Sequence, residues 1–315
     1  MKYRYCDMHC DTLTAEGNLQ ATFERHKAGG CYLQCFAAFL FQPDGSLYRR
    51  ALSAFDKFDG WCKEYGLNRV GRFSDLKENA VNAVLTVEEG AAIEGDLKKL
   101  DEFYARGVRM MTLTWNFANR LGYPNLSDYT GADALPNARE GARGLTEFGV
   151  CVVEHMKELH MIVDVSHGSD ALVRDVKEVL KDTPFVASHS DAASVFDCPR
   201  NLRDEEIRAI AESGGVIGLN FCADFLSEDK SKEGQQAALL AHAKAILNAG
   251  GEDVLALGSD FDGIPENAFL RSPADVPQLL SDFEREFGAR VTEKIAKDNF
   301  LRVFRTVCGL SLIHI

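Results

Sequence analysis

Eight apolar runs of strand length recur along this chain, each followed by a polar or glycine-bearing loop and then a segment of helical periodicity. They are KYRYCDMH (2–9), YLQCFAAFL (32–40), AVNAVLTV (80–87), GVRMMTLTW (107–115), HMIVDVSH (160–167), PFVASHS (184–190), GGVIGLNF (214–221) and DVLALGSD (253–260). Between them lie helical patterns such as EFGVCVVEHMKELH, where Val150, Val153, Met156 and Lys157 form one side against Glu154 and Glu158. Asp204 reads as the N-cap of EEIRAIAES, which Gly214 ends. Eight strands alternating with helices predict an α/β protein, a (β/α)8 TIM-type barrel forming a single domain over 1–315. The rival is an open doubly wound sheet. Neither G-x-G-x-x-G nor G-x-x-x-x-G-K-[ST] follows any strand, which removes its nucleotide-binding form.

Composition narrows the partners. Apolar residues make up 46% of the 315 and the formal net charge is −13. An acidic chain lacks the lysines and arginines that neutralise nucleic-acid phosphates, so no nucleic-acid partner is expected. No apolar run approaches the ~20 residues that span a bilayer, and MKYRYCDMHC is not an apolar signal segment, so no membrane partner is expected. The nine cysteines are scattered, and Cys35 and Cys151 lie in apolar runs as small core residues. Reduced thiols and a cytoplasmic location are the resulting expectations.

In a barrel, chemistry sits at the carboxyl ends of the strands. The first run ends in His9 and Asp11, two apart and therefore on one face; Asp7 shares their parity, opposite Cys6, Met8 and Cys10. Taken alone, His9 and Asp11 are either a metal clip or a hydrogen-bonded structural pair. Later runs end in Glu88 and Glu89, His167, His189, and Asp260 with Asp262. Three of the eight histidines thus stand at strand ends, while His26, His155, His160, His242 and His314 fall in helical, loop or terminal stretches as surface or packing residues. Imidazoles and carboxylates converging in a barrel mouth are costly to desolvate unless paired or metal-bound, and they suit zinc, manganese or iron. A two-metal hydrolase site is the reading that accounts for the set. Other motifs carry less. DFDG (260–263) opens like a calcium loop but has Arg271 at the twelfth position, no G-x-S-x-G elbow exists, and Cys222 has no nearby base.

With these residues in view, the chain resembles the membrane (renal) dipeptidase family, binuclear zinc hydrolases among the amidohydrolase-like barrels. DMHCDT, TLTWN, IVDVSH, VASHSDA, PRNLRDEEI, GSDFDG and DNFLRVF carry the resemblance in order along most of the chain. It implies hydrolysis of dipeptides, often with a D-residue at the carboxyl side, by a hydroxide bridging two divalent metal ions per chain, zinc in this family. It implies His9 and Asp11 on one metal, His167 and His189 on the other, and Glu88 as the bridge. It also implies Arg200 as receiver of the substrate carboxylate, Asp260 as the acid that moves the proton, and a homodimer. One position departs: the family's mammalian members carry a histidine after LTLT, where this chain has Trp115 and then Asn116. An indole can donate but not accept, so Trp115 and Asn116 are substrate-binding candidates with an altered role. The long segment 118–145 is a candidate lid or a plain surface connection. Two rivals are a binuclear N-acyl-amino-acid amidase or lactonase, whose usual carbamylated lysine has no counterpart in TLTWN, and a non-catalytic metal- or peptide-binding barrel.

Overall fold

The computed structural model describes residues 2–42, 45–130 and 138–309. Each of the eight apolar runs overlaps one strand of a closed parallel barrel: β1 (Tyr5–Cys10), β2 (Cys31–Phe39), β3 (Asn82–Glu88), β4 (Val108–Thr112), β5 (Ile162–Asp164), β6 (Val186–Ala187), β7 (Val216–Leu219) and β8 (Leu255–Leu257). Neighbours pair in chain order, and β8 pairs with β1 to close the ring. A two-residue strand, Asn68–Arg69, adds to β3 outside the ring. The barrel expectation holds, and no open sheet forms.

Helices α1 (Phe23–Gly29), α2 (Leu47–Glu64), α3 (Leu97–Ala105), α4 (Glu147–Glu158), α5 (Asp170–Leu180) and α6 (Asp204–Glu212) succeed the first six strands. A short α7 (Ala223–Leu226) and a long α8 (Lys232–Gly250) come after β7. The chain then runs through α9 (Val276–Phe287), α10 (Ala289–Glu293) and a π-helical turn at Lys294–Asp298 into α11 (Asn299–Cys308).

Strand alternation divides the core in two. Met8, Leu33, Val84, Met110, Ile162 and Val216 fill the barrel interior, and Phe300, Phe304 and Val307 of α11 close its floor. The alternate residues, Phe36, Leu85, Met111, Val163, Ile217 and Leu255, pack outward against the helices. Closing the floor leaves the mouth at the carboxyl ends as the open end of the barrel.

Three local expectations change. In β1 the pairings Asp7↔Gln34 and Cys10↔Phe36 set three steps against two, a bulge that breaks the alternation. Asp7 therefore does not join His9 and Asp11. Its carboxylate instead accepts from the Ser259 and His9 amides and the Ser259 hydroxyl. Asp204 is the first residue of α6 rather than its cap; Glu206 reaches back to the Arg203 amide. Cys151 is exposed on α4, where Val152, Val153 and Met156 make the buried side, and Cys35 is buried as expected. Glu89, beside Glu88, is fully buried and hydrogen-bonded. His26 and His242 are buried packing residues: His26 bridges the Thr22 carbonyl and Gln34, and His242 accepts from the Ala192 amide. His314 lies outside the described residues.

Candidate metal centre

The strand ends β1, β3, β5, β6 and β8 bring His9, Asp11, Glu88, His167, His189 and Asp260 together, each at most 7% exposed. β5 and β6 are short, so His167 and His189 are carried by the loops that leave them. Asp164, the last residue of β5, joins the strand ends: its carboxylate accepts from the amides of Ser166 and Ser188 and from the hydroxyls of Thr112 and Ser188. His167 then turns sharply at φ 66°, and Ser169 caps α5 two residues later. Glu89, Asp260 and Asp262 also have φ between 63° and 100°, so strained backbone gathers at this mouth, as it does at functional sites. Glu89 holds the loops above it, accepting from the Ala91 and Trp115 amides and from the Gln42 and Asn119 side chains.

Glu88 is the middle of the cluster. Its Oε2 lies 3.3 Å from His9 Nε2, and its Oε1 lies 3.0 Å from His167 Nε2 and 3.5 Å from His189 Nε2. Asp11 Oδ1 and Asp260 Oδ1 stand 3.4 and 3.8 Å from His9 Nε2. Three groups of potential ligand atoms therefore converge within 4.8 Å: His9–Asp11–Glu88, Glu88–His167–His189, and His9–His189–Asp260.

Hydrogen bonds behind the rings fix which nitrogen faces inward. Ser188 Oγ donates to Asp164 Oδ2 at 2.5 Å and so accepts from His189 Nδ1 at 2.8 Å. Asn116 Oδ1 accepts from His167 Nδ1 at 2.7 Å. Both Nε2 atoms consequently offer lone pairs to the centre, 2.9 Å apart. Two lone pairs so close repel; the Arg200 guanidinium, 3.0 Å from His167 Nε2, offsets part of that repulsion, and His189 Nε2 has no such cation beside it. His9 Nε2 and Asp11 Oδ1 are buried without a hydrogen-bond partner, which is costly for polar atoms. At Gly263 a Cβ would sit 2.3 Å from Asp11 Oδ2 and 2.5 Å from Asp260 Oδ1, so only glycine leaves the carboxylates their space. This donor set fits divalent metal ions.

The electrostatics agree. Burial resists charging throughout, and the charges divide the groups. Burial opposes protonation of His9, but Glu88 and Asp11 outweigh it and lift the imidazole well above its ordinary range. Burial opposes ionisation of Glu88, and the three histidines overcome it, holding the carboxyl well below normal. Burial and Arg200 push His167 down to about 3; burial and His9 hold His189 far down as well. Burial raises Asp260 to about 7, with Asp11 and Glu88 adding to the push and His9 opposing it. Without cations, carboxylates crowd one buried space.

The three substrate-binding candidates occupy the same mouth. They line a cavity of about 800 Å³ together with Asp11, Glu88, His167 and Asp260. Arg200 is buried, donates through Nη2 to His167 Nε2 at 3.0 Å, and keeps Nη1 without a partner. Asn116 stands behind His167. Trp115 is half-buried, its ring 6.0 Å from that of His167. Cys222 is a buried cavity-lining residue whose thiol is pushed up to about 12 by burial and by Asp260, which disfavours the thiolate. Asp262 accepts from Thr12 and the Gln20 amide, a structural tie rather than a calcium loop. Of the segment 118–145, residues 131–137 lie outside the described residues; Leu126 and Tyr129 line the cavity. Ser188 carries only the signal of a polar residue beside a strand-end histidine, and Asp164 and the role of Asn116 carry none.

Known proteins resemble this chain in sequence and fold. A protein from the pqqA 5′ region of Klebsiella pneumoniae is 35% identical over 235 residues, 73% of this chain and 84% of that one. A Schizosaccharomyces pombe dipeptidase is 33% identical over 246 residues, 74% of this chain and 57% of its own longer length. Among solved structures, a dipeptidase of metallopeptidase family M19 superimposes with a TM-score of 0.86 at 24% identity, covering 98% of this chain and 100% of that one. A Rhodobacter sphaeroides metallopeptidase, liganded with a phosphinate mimic of the dipeptide L-Ala-D-Ala, gives 0.82 at 22% identity, covering 97% and 99%. The model of the membrane dipeptidase family matches residues 4–311, and this chain belongs to that family, peptidase family M19.

Proposed function

We propose that this chain is a metal-dependent dipeptidase that binds two divalent cations, zinc in the first instance, and hydrolyses dipeptides, including those with a D-residue at the carboxyl side. The observation that carries this reading is the division of Glu88, one oxygen toward His9 and the other toward His167 and His189. That division makes two ligand sets sharing one carboxylate, His9–Asp11–Glu88 and Glu88–His167–His189. No lysine is among the described cavity-lining residues, which disfavours the relatives bridged by a carbamylated lysine.

Held by these residues, two divalent cations would supply Lewis acidity, the chemistry that lowers the pKa of a water from ~16 toward ~7 and polarises a carbonyl. The remaining work belongs to the protein. Arg200 takes the substrate carboxylate on its planar fork, for which the unpartnered Nη1 is available. Asn220 Nδ2 donates to Asp260 Oδ2 at 3.1 Å, leaving Oδ1 on the side of His9 to accept the proton of the attacking water and return it to the leaving amine. The buried walls exclude bulk water and strengthen each of these contacts. Acceptance of a D-residue draws on the L-Ala-D-Ala mimic held by the R. sphaeroides neighbour. No described helix is long and apolar enough to cross a membrane, and the nine unpaired cysteines suit a reducing cytoplasm.

The test is hydrolysis of a panel of L,D and L,L dipeptides by purified protein, with added zinc and with chelator. Chelator-sensitive cleavage is expected, and Asp260→Asn should lower kcat by about 10²–10⁴-fold with its metal retained. Absence of cleavage across the panel, or near-normal turnover in Asp260→Asn, contradicts the reading.

A further inference from the structure

Five aromatic residues stand together at one side of the mouth: Phe39 at the end of β2 and Phe41 just beyond it, Trp115 and Phe117 after β4, and Tyr129 beyond them. Trp115 is the hub, with ring centroids 5.0 Å from Phe39, 5.8 Å from Phe41, 5.9 Å from Phe117 and 5.5 Å from Tyr129. All five are half-buried, and none belongs to either hydrophobic core. Phe39, Phe41, Trp115 and Tyr129 face the cavity. Packing of the barrel therefore does not account for them.

Their position relative to Arg200 gives them a use. Arg200 comes after β6, with the Phe225 ring 5.4 Å from its guanidinium. β2–β4 lie across the barrel mouth from β6–β8, so the aromatic wall and Arg200 stand on opposite flanks of the metal centre. His167 marks the middle, touched by Arg200 at 3.0 Å and facing the Trp115 ring at 6.0 Å. A dipeptide with its carboxylate on Arg200 and its peptide bond at Glu88 can extend beyond the centre only through its amino-terminal residue. We infer that the wall around Trp115 is the specificity pocket for that residue and selects dipeptides whose amino-terminal side chain is large and apolar, aromatic or branched aliphatic. This rests on the dipeptidase reading and sharpens it. An anionic side chain would be desolvated against ring faces that repel it, whereas an apolar one is removed from water at both surfaces.

The experiment compares kcat/KM for L-Phe-, L-Leu-, Gly-, L-Asp- and L-Lys-D-Ala, and for the matching L-Ala series, using the zinc-loaded protein. L-Phe and L-Leu should exceed Gly and L-Asp by at least about tenfold, the scale of burying one such side chain. Trp115→Ala should bring the Phe/Gly ratio below about threefold. Phe41→Ala, farther from the ligands, should reduce the same ratio and covers the case in which the first variant does not fold. Three outcomes overturn the inference while leaving a dipeptidase: Gly or L-Asp cleaved as well as L-Phe, selectivity that tracks the carboxyl-terminal residue instead, or variants that lower both substrates equally. Failure to cleave any dipeptide removes the dipeptidase reading and this inference with it.

Discussion

Asn116→Ala should weaken metal binding without unfolding the barrel. The Asn116 amide oxygen accepts the His167 Nδ1 proton at 2.7 Å, and both residues are buried, so no water replaces it freely. Removing the acceptor forfeits one hydrogen bond, about 1 kcal/mol net, and strands a buried N–H at about 1–3 kcal/mol. Nothing then holds the tautomer that turns the Nε2 lone pair to the centre. Part of the penalty is present with and without metal, so a loss of about 1.4–2.7 kcal/mol is expected in binding. That is about 10–100-fold in affinity, the usual scale for a residue supporting a metal ligand. Asn116→Asp keeps an acceptor and should stay within about threefold of the parent. Competition titration against a zinc chelator measures both. Wild-type affinity in Asn116→Ala would refute the orienting role, and equal losses in the two variants would assign the effect to packing rather than to the acceptor.

Arg200→Lys replaces a planar fork by a point charge and should lower kcat/KM about 10–100-fold, mainly through KM. Amidating the substrate carboxylate should cost the parent enzyme much and the variant little; an equal cost in both argues against Arg200 as the carboxylate receiver. Asp164→Ala leaves two buried amides and two hydroxyls without their acceptor and should destabilise the fold by about 3–5 kcal/mol, read by denaturant unfolding. A change below about 1 kcal/mol would mean the strand ends do not depend on it. His26 is buried between Thr22 and Gln34, and burial lowers its pKa. The unfolded chain then binds the extra proton below pH ~6.5, so stability is lost as pH falls through that value, by up to ~1.4 kcal/mol per pH unit. His26→Gln should flatten that slope relative to the parent between pH ~6.5 and ~5, and an unchanged slope would contradict the linkage.

The barrel is legible in the sequence because its signal is repeated: a buried parallel strand must be apolar on both faces, and eight such runs between helical patterns admit few closed arrangements. The ligand candidates are legible for a related reason, since ionisable side chains directly after fully apolar runs need an explanation. The features that escape depend on backbone irregularity and on distant hydrogen bonds. Parity puts Asp7 beside His9, and one bulge in β1 undoes it. Asp164 lies inside an apolar run and looks like a strand residue, yet it joins the ends of β4, β5 and β6 through partners up to 52 residues away. Asn116 reads as a substrate contact because it comes directly after Trp115, and nothing local shows that it also holds His167 from 51 positions upstream. The aromatic wall is assembled from three separated segments, and no local pattern links Phe39 to Tyr129.

The most direct test of the account is the number of zinc ions bound per chain, counted by elemental analysis on zinc-loaded, gel-filtered protein and on its Glu88→Gln variant. Sharing of Glu88 between two ligand sets predicts about two ions in the parent, with both sites weakened together in the variant. A single ion in the parent, or loss of only one in Glu88→Gln, would contradict a bridged pair; no bound metal would contradict the centre itself.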